Sequence, residues 1–401
     1  MGTFIRKEGY SVVSLVIPQA RLNNCLSVVL GQWPYEAIHF DCRGTMVREH
    51  WIQSFLPIMN PECEYLQFLV NDDDLNEFVQ ALIQVNNLHL PGSGAIFTSR
   101  CVNYATNTAE PENPKALEAL RERSVSPANL KDNLYAIFAL IQSGRTDNAI
   151  KAAMHAGSHG PIVYFVEGRG TRDKIGWLKI TKKPYEEVVM VLVEDIDRAR
   201  VKDALVSAGR VNTLGGGMVF EMPIESGLVN LPTSISNKNR LASNEQIIAA
   251  VDQLMGNTDW RDTRSLNSLM DKTTVSTQQG ALEKNSALCA LMPRKYANEF
   301  LDHMLDIGMP GGNINYTKLF ASDDDQNDLQ LAVHHELAQV RMVLPANQCA
   351  DHFSELQTFI SEQGYSNVTL YELEVEGLVR YKQKPKVKID AVYRGAATKP
   401  G

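Results

Sequence analysis

The sequence lacks the features that would assign it to several specialised classes of protein. Its longest early apolar run, Val12–Ile17, is too short to cross a membrane, and no small-residue cleavage site follows it. The six cysteines are scattered without a CxxC pair, which is typical of a reducing compartment and argues against a zinc ribbon. Lys and Arg total 39 against 47 Asp and Glu, and the net charge of −8 argues against general nucleic-acid binding. We therefore expect a cytoplasmic protein without a transmembrane segment.

The stretch from 133 to 225 carries the clearest pattern of secondary structure. Its apolar runs and helical spacings predict strands over 134–141, 162–167, 187–194 and 218–222, and helices over 146–156 and 197–208. The run Val188–Val193 is apolar at every position, which indicates a strand buried on both faces. The resulting order, βαββαβ, is that of a ferredoxin-like unit.

The same order of elements is predicted three times along the chain. When the copies are aligned on the residue that ends the third strand, an aromatic residue lies 25 positions later in each, at Phe97, Phe220 and Tyr371. A glycine follows the first predicted helix of each copy, at Gly31, Gly157 and Gly308. A break between the first strand and the first helix falls at Pro18, Gly144 and Pro293. Because three shared markers in three copies are improbable by chance, we interpret the chain as three tandem, divergent repeats.

The repeats divide the chain into three units, two linkers and a tail. We assign the units to 1–104, 130–230 and 284–381, the linkers to 105–129 and 231–283, and a mobile tail to 382–401; the second linker includes a predicted helix. A single ferredoxin-like unit has exposed sheet edges, which packing around a pseudo-threefold axis would cover. The predicted fold is therefore α+β, with three tandem ferredoxin-like units packed as a monomeric, intramolecular pseudo-trimer.

Two motifs in the second copy give the chain a family resemblance. Val166–Arg172, read V-E-G-R-G-T-R, is similar to the V-x-G-x-G-R-Q pattern of the PII signal-transduction (nitrogen regulatory protein P-II) family. Gly215–Glu225, read G-G-G-M-V-F-E-M-P-I-E, resembles that family's G-D-G-K-I-F-V-x-P-V-E. The first copy keeps Gly92–Phe97 and a reduced Arg43–Thr45, whereas the third keeps only the fold pattern.

The resemblance implies a fold, a ligand and a mode of action. PII proteins are trimers of ferredoxin-like subunits that bind adenine nucleotide between subunits, usually also bind 2-oxoglutarate, and regulate other proteins through a long loop. It therefore implies a PII-like signalling protein of nitrogen regulation, with ATP, ADP or AMP as ligand, no further cofactor and an unknown protein target. The implied nucleotide- or anion-binding residues are Gly168, Arg169, Gly170, Thr171, Arg172, Gly215, Gly216, Gly217, Arg43, Gly44, Gly92 and Gly94.

The residues themselves allow two interpretations at each of these positions. Gly168–Arg172 suits a backbone nest for an anion, with arginines donating charge-assisted hydrogen bonds, or a tight loop that needs glycine for its backbone. Gly215–Gly217 suits close approach to a phosphate or to a neighbouring unit. The loop that follows Arg169 is basic in an acidic protein and suits an anionic ligand or an acidic partner. Its predicted partner-binding residues are Lys174, Trp177, Lys179, Lys182 and Lys183.

Other observations keep two alternatives open. The lysine that PII proteins carry after the glycine loop is Met218 in the second copy and Ala95 in the first. A ligand-free interaction scaffold with a degenerate PII fold, or a small-molecule-binding module of the ACT type, therefore remains an alternative. No Ser-His-Asp or Cys-His grouping and no Walker lysine can be assembled, so we expect a non-enzymatic protein, without a metal site.

Overall fold

The computed structural model describes seven stretches of the chain, which form an α+β fold. They are residues 4–44, 62–108, 130–170, 185–213, 215–231, 284–321 and 332–380, together with position 254. The described strands form one 15-stranded sheet in which the pairings are antiparallel. Most of the two predicted linkers and all of the predicted tail lie outside the described residues.

The first segment, residues 4–108, has a short additional strand before the βαββαβ order. Its elements are β1 (Ile5–Lys7), β2 (Tyr10–Pro18), a 3₁₀ turn (Gln19–Arg21), α1 (Leu22–Gln32), β3 (Ala37–Gly44), β4 (Cys63–Asn71), α2 (Leu75–Val85) and β5 (Gly94–Thr106). The four main strands lie in the order β3-β4-β2-β5, with the first strand of the unit in the interior of the sheet.

The second and third segments, residues 130–231 and 284–380, repeat this order and each adds a strand at its end. The second contains β6 (Leu134–Gln142), α3 (Thr146–His155), β7 (His159–Gly170), β8 (Tyr185–Glu194), α4 (Asp195–Gly209), β9 (Gly217–Pro223) and β10 (Ser226–Asn230). The third contains β11 (Asn285–Pro293), α5 (Arg294–Asp306), β12 (Gly311–Ala321), β13 (Ala332–Pro345), α6 (Ala346–Glu362), β14 (Thr369–Val375) and β15 (Gly377–Arg380). Their strand orders, β7-β8-β6-β9 and β12-β13-β11-β14, match that of the first segment.

Several predicted boundaries and elements differ from the structure. β5 runs to Thr106, two residues into the predicted linker, because its end pairs with β14. Gly31 lies inside α1 rather than after it, since this helix continues to place Trp33 against Phe78, with ring centroids 5.3 Å apart. The short strands β10 and β15 are absent from the sequence predictions, because each forms only by pairing with a strand of another segment.

Strand extensions connect the three segments in a closed cycle. β10 pairs with β5, the end of β5 pairs with β14, and β15 pairs with β9. We call Phe97, Phe220 and Tyr371, the aromatic residues shared by the three copies, the marker aromatics. In each exchange, the residue seven positions after one segment's marker aromatic lies opposite the marker aromatic of another segment. These pairs are Tyr104 with Tyr371, Gly227 with Phe97, and Leu378 with Phe220. The second segment thus extends the first, the first extends the third, and the third extends the second.

Both faces of the sheet are buried, which explains the uninterrupted apolar strands. In β8, Val188, Met190 and Leu192 face a core shared by all three segments, and the intervening Val189, Val191 and Val193 pack under α3 and α4. The first and third segments have the same division between a shared inner core and their own helix-side core. The prediction that Val188–Val193 is buried on both faces is therefore confirmed.

Candidate functional site

The second strands of the three segments meet in a cycle of their own and form three junctions. The end of β3 pairs with the start of β7, the end of β7 with the start of β12, and the end of β12 with the start of β3. We call these pairings the first, second and third junctions. The predicted binding residues Arg43 and Gly44 lie at the first junction, and Gly168–Gly170 lies at the second.

The first junction contains a cavity of about 270 Å³, which we call the first-junction cavity. It brings together three of the predicted binding residues, Gly44, Gly92 and Gly94. No sequence pattern predicts the other residues of its wall, because several belong to the second segment and only strand pairing between segments places them here. They are Val16, Ile17, Pro18, Glu62, Cys63, Gly160, Ile162 and Leu231.

Two glycines of this wall have different structural roles. Gly94 has a φ of +138°, and a Cβ on it would lie 2.1 Å from the carbonyl oxygen of Val16. Gly92 has a φ of +74°, and a Cβ on it would meet nothing within 4 Å. Gly94 is therefore required for the close approach of β5 to β2, whereas Gly92 leaves open space beside the cavity.

The described wall of the first-junction cavity is largely apolar. Glu62 is the only charged residue among the described residues that line it. The nearby Arg43 is directed to the second segment, where its Nη2 lies 3.7 Å from Oε1 of Glu187. That carboxylate also accepts a hydrogen bond from Thr146. Apolar carbons, glycine backbone and one carboxylate suit a flat, uncharged group better than a phosphate.

At the second junction, the prediction of a loop beginning at Gly168 is wrong. β7 continues to Gly170, and residues Glu167–Gly170 pair with Gly311–Ile314 of β12. A Cβ on Gly168 would lie 2.6 Å from Oε2 of Glu186, so the Glu186 side chain packs closely against this backbone. An extended, paired backbone does not form a nest of convergent N–H groups at Gly168–Gly170.

Arg169 contacts the third segment from the second junction. Its Nη1 lies 3.2 Å from Oδ1 of Asp302, and its Nη2 donates to Oδ1 of Asn298 at 2.6 Å, both on α5. The same Nη2 lies 3.1 Å from Oε1 of Glu167. These contacts give the guanidinium a structural function, and its binding to an anion stays a prediction. Thr171, Arg172 and the five predicted partner-binding residues lie outside the described residues.

The glycines of Gly215–Gly217 are explained by the packing of their own segment. A Cβ on Gly216 would lie 2.1 Å from the carbonyl oxygen of Arg210, and one on Gly217 would lie 1.9 Å from that of Leu140. Gly215 and Gly217 also have positive φ, at +73° and +105°. The turn that joins α4 to β9 therefore requires glycine whether or not a ligand binds there.

A second depression, of about 580 Å³, lies on the third segment. Its wall includes Arg294, Lys295, Asn298, Tyr316 and Glu336. The Arg294 guanidinium lies 4.3 Å from the ring centroid of Tyr316, and its Nη1 lies 2.9 Å from Oε2 of Glu336. This depression has two cations, but one of them already has a carboxylate partner.

A buried polar network connects the segments inside the shared core. Nε2 of Gln339 donates to Oε1 of Gln67 at 3.0 Å and to the hydroxyl of Tyr371 at 2.6 Å. Nη2 of Arg341 donates to Oε1 of Gln339 at 3.1 Å, and its guanidinium lies 5.2 Å from the Phe138 ring centroid. Burial raises the pKa of Tyr371 well above its ordinary value. The tyrosine is therefore neutral at physiological pH and serves as an ordinary hydrogen-bonding group.

The described ranges contain neither a cluster of metal ligands nor a membrane-spanning helix. No group of three or more His, Cys, Asp or Glu side chains there is arranged to hold a metal ion. None of the described helices combines the length and the apolar composition needed to cross a membrane.

Comparisons with known proteins give only distant likenesses. No protein-family model matches the chain, and no curated protein does. Among solved structures, the chain is similar to PII from Arabidopsis thaliana bound to citrate, with 16% identity, a TM-score of 0.19, and coverage of 24% of this chain and 80% of that one. It is also similar to aspartate kinase from Synechocystis, with 8% identity, a TM-score of 0.18, and coverage of 92% of this chain and 44% of that one.

Proposed function

We propose that the chain is a PII-like regulatory protein in which one polypeptide forms an intramolecular pseudo-trimer. In this proposal it is not an enzyme. It binds a small ligand of the adenine nucleotide class between two segments and acts on a protein partner through the stretches that follow β3 and β7. The observation that carries the proposal is the closed cycle of strand exchanges, together with a cavity at one of its junctions.

The cycle supports the pseudo-trimer because its three exchanges have the same register. In every case the paired residue lies seven positions after its own segment's marker aromatic and opposite another segment's marker aromatic. Three unrelated segments would have no reason to share this offset. Closed heterologous contacts of this kind are what three equal subunits would make around a threefold axis.

The position of the first-junction cavity supports a sensing role. Its wall combines β2, β3 and β5 of the first segment with Gly160 and Ile162 of the second. A ligand that contacts both segments stabilises the arrangement in which both contacts form, and so changes the population of that arrangement. Gly44, the last residue of β3, belongs to this wall, so a change here reaches the start of a stretch through which we propose that the chain acts.

The volume and charge of the cavity indicate which part of the ligand can enter it. A volume of about 270 Å³ is near the lower end of the roughly 300–1,000 Å³ of small-molecule sites. With Glu62 as the only described charge on the wall, we infer that the base and sugar enter and that any phosphates extend toward the mouth. Affinity would then depend weakly on the number of phosphates.

Isothermal titration with ATP, ADP, AMP and adenosine tests this proposal. Gly92→Asn adds a side chain beside the cavity, and asparagine tolerates the positive φ of this position. We expect binding to weaken by about tenfold or more, ~1.4 kcal/mol. Gly364→Asn is the matched control, because Gly364 has a φ of +69° and equally open surroundings. Absence of heat with all four compounds at millimolar concentration would remove the nucleotide proposal.

A second variant distinguishes the two junctions. Arg169→Ala combined with Arg172→Ala removes the cations of the original sequence prediction. If this double variant abolishes binding while Gly92→Asn does not, the ligand binds at the second junction instead of the first. We expect Gly92→Asn to weaken binding and the double variant to leave it unchanged, because Arg169 already contacts Asn298 and Asp302.

A ligand-free interaction scaffold is the second candidate function. It is favoured by the lack of a cation on the described wall of the first-junction cavity and by the packing roles of Gly216 and Gly217. In that case the titrations give no heat, while the chain still binds its partner with unchanged affinity when nucleotide is added.

A further inference from the structure

Cys42 and Cys63 form a close pair of thiols at the first junction. β3 and β4 pair antiparallel, and the last residues of the register are Asp41 and Glu64. Continuing the same register by one residue places Cys42 opposite Cys63. Their Sγ atoms are 3.3 Å apart, and the Cys42 thiol lies 3.1 Å from the carbonyl oxygen of Cys63. Both residues are half-buried, whereas Cys25, Cys289 and Cys349 are buried.

We propose that Cys42 and Cys63 are a redox-responsive dithiol, which a low-molecular-weight disulfide such as oxidised glutathione converts to an intramolecular disulfide. Directly opposed residues of an antiparallel pair have Cα atoms about 4.5–5.5 Å apart, within the range of about 4.4–6.8 Å that disulfides need. The sulfur atoms must approach each other by only about 1.3 Å to reach a bond of about 2.05 Å. The backbone can therefore stay in place.

Oxidation would proceed by two thiol–disulfide exchanges. The Cys63 thiolate attacks one sulfur of oxidised glutathione, a Cys63–glutathione disulfide forms, and one glutathione leaves as its thiolate. Cys42 then loses its proton to solvent and its sulfur attacks Sγ of Cys63, which breaks the mixed disulfide and releases the second glutathione. The protein thereby loses two protons and two electrons: the electrons reduce the disulfide of oxidised glutathione to two thiolates, and the protons exchange through solvent.

The order of the two cysteines follows from their surroundings. Cys63 contributes to the wall of the first-junction cavity and is accessible from it. The hydrogen bond between the Cys42 and Cys63 thiols and, next, burial raise the pKa of the Cys42 thiol. Because the thiolate is the attacking species, Cys42 is the poorer first nucleophile and suits the second step.

A disulfide between Cys42 and Cys63 would link the end of β3 to the start of β4. β3 ends at Gly44 and β4 begins at Cys63, so the disulfide would close a covalent ring around the stretch between these two strands. It would also move one side chain of the cavity wall. Oxidation would therefore constrain that stretch and reshape the cavity in a single step.

Peptide mass mapping of the full-length protein tests this inference. The reduced, folded protein is incubated with oxidised glutathione, the remaining thiols are alkylated, and the chain is digested without reductant. We expect one peptide pair that joins Cys42 to Cys63 and lacks two hydrogen atoms, and it should disappear after dithiothreitol. If both cysteines remain free, or each carries its own glutathione, the inference is wrong.

Single substitutions supply an independent test of the order of attack. Cys42→Ser should accumulate a glutathione adduct on Cys63, whereas Cys63→Ser should leave Cys42 largely unmodified after the same incubation. Cys101→Ser removes another half-buried thiol and should still form the joined peptide at the wild-type rate. A joined peptide that forms only in denaturant would refute a dithiol organised by the fold, and circular dichroism of each sample establishes that it is folded. Neither measurement involves nucleotide, so its result is separate from that of the titrations.

Discussion

Glu221→Gln should destabilise the protein strongly, because the Glu221 carboxylate is buried between two cations. Its side chain is 1% exposed, Oε1 lies 2.9 Å from Nε of Arg198, and Oε2 lies 3.0 Å from Nζ of Lys202. Arg198 also reaches the third segment, where its Nη1 lies 2.7 Å from Oε2 of Glu376. The backbone of Glu221 pairs with β15 opposite Gly377. The carboxylate therefore anchors α4 and the strand extension of the third segment at the same place.

The expected loss follows from the charges that remain. Removing one partner of a buried ion pair typically destabilises by about 3–5 kcal/mol, because the other charge stays buried without compensation. Here Arg198 keeps Glu376, and Lys202, at 26% exposure, reaches solvent. We therefore expect a value at the lower end, about 3 kcal/mol in the free energy of unfolding.

Urea unfolding followed by circular dichroism measures this change. Glu376→Gln is the matched control, since Glu376 is 38% exposed and an exposed pair contributes about 0–1 kcal/mol. The reasoning fails if Glu221→Gln lies within about 1 kcal/mol of wild type, or if both substitutions destabilise equally.

Three further substitutions test the packing and titration of the fold. Gly217→Ala should destabilise by at least about 2 kcal/mol in urea unfolding, because its Cβ would lie 1.9 Å from the carbonyl oxygen of Leu140 in β6. The control is Gly308→Ala, which has a φ of +93° and open surroundings. It should destabilise by about 1 kcal/mol. Burial raises the pKa of Cys25 from 9.0 to about 11. The unfolded chain therefore releases the proton first, and this contribution to stability is complete below pH 9 and lost as the pH rises through 11. Between these pH values, the wild-type free energy of unfolding should fall by about 2–3 kcal/mol more than that of Cys25→Ala, and parallel curves would contradict this. Tyr371→Phe removes the hydroxyl that accepts from Gln339 at 2.6 Å and should destabilise by about 1 kcal/mol in the same assay, with no loss indicating that the network is not formed.

The sequence predicts the elements of each segment because local patterns determine them. Alternate residues of β8 face two different cores, so the strand is apolar throughout and is recognisable without any knowledge of its partners. Helical spacing identifies α4 through Val201 and Leu205, which are both buried. The markers Phe97, Phe220 and Tyr371 recur because each lies at the same place in its unit.

The candidate site was less predictable, because it depends on contacts between segments. Gly168–Gly170 resembles a loop motif in sequence, yet β12 provides hydrogen-bonding partners that keep it extended. Arg169 is basic and next to glycines, yet Asp302 and Asn298 occupy its guanidinium. No motif links Cys42 to Cys63 in the sequence, and the pairing of β3 with β4 brings their thiols together.

The amino-acid sequence by itself determined three βαββαβ segments, since burial pattern and helix spacing are properties of neighbouring residues. Only the tertiary structure decided which strands exchange between segments, which junction holds a cavity, and which thiols and charges face each other. The strand exchanges and the cavity depend on backbone hydrogen bonds between residues more than 100 positions apart, such as the pairing of Gly227 with Phe97. No local pattern encodes such a pairing, because any exposed strand edge offers the same donors and acceptors.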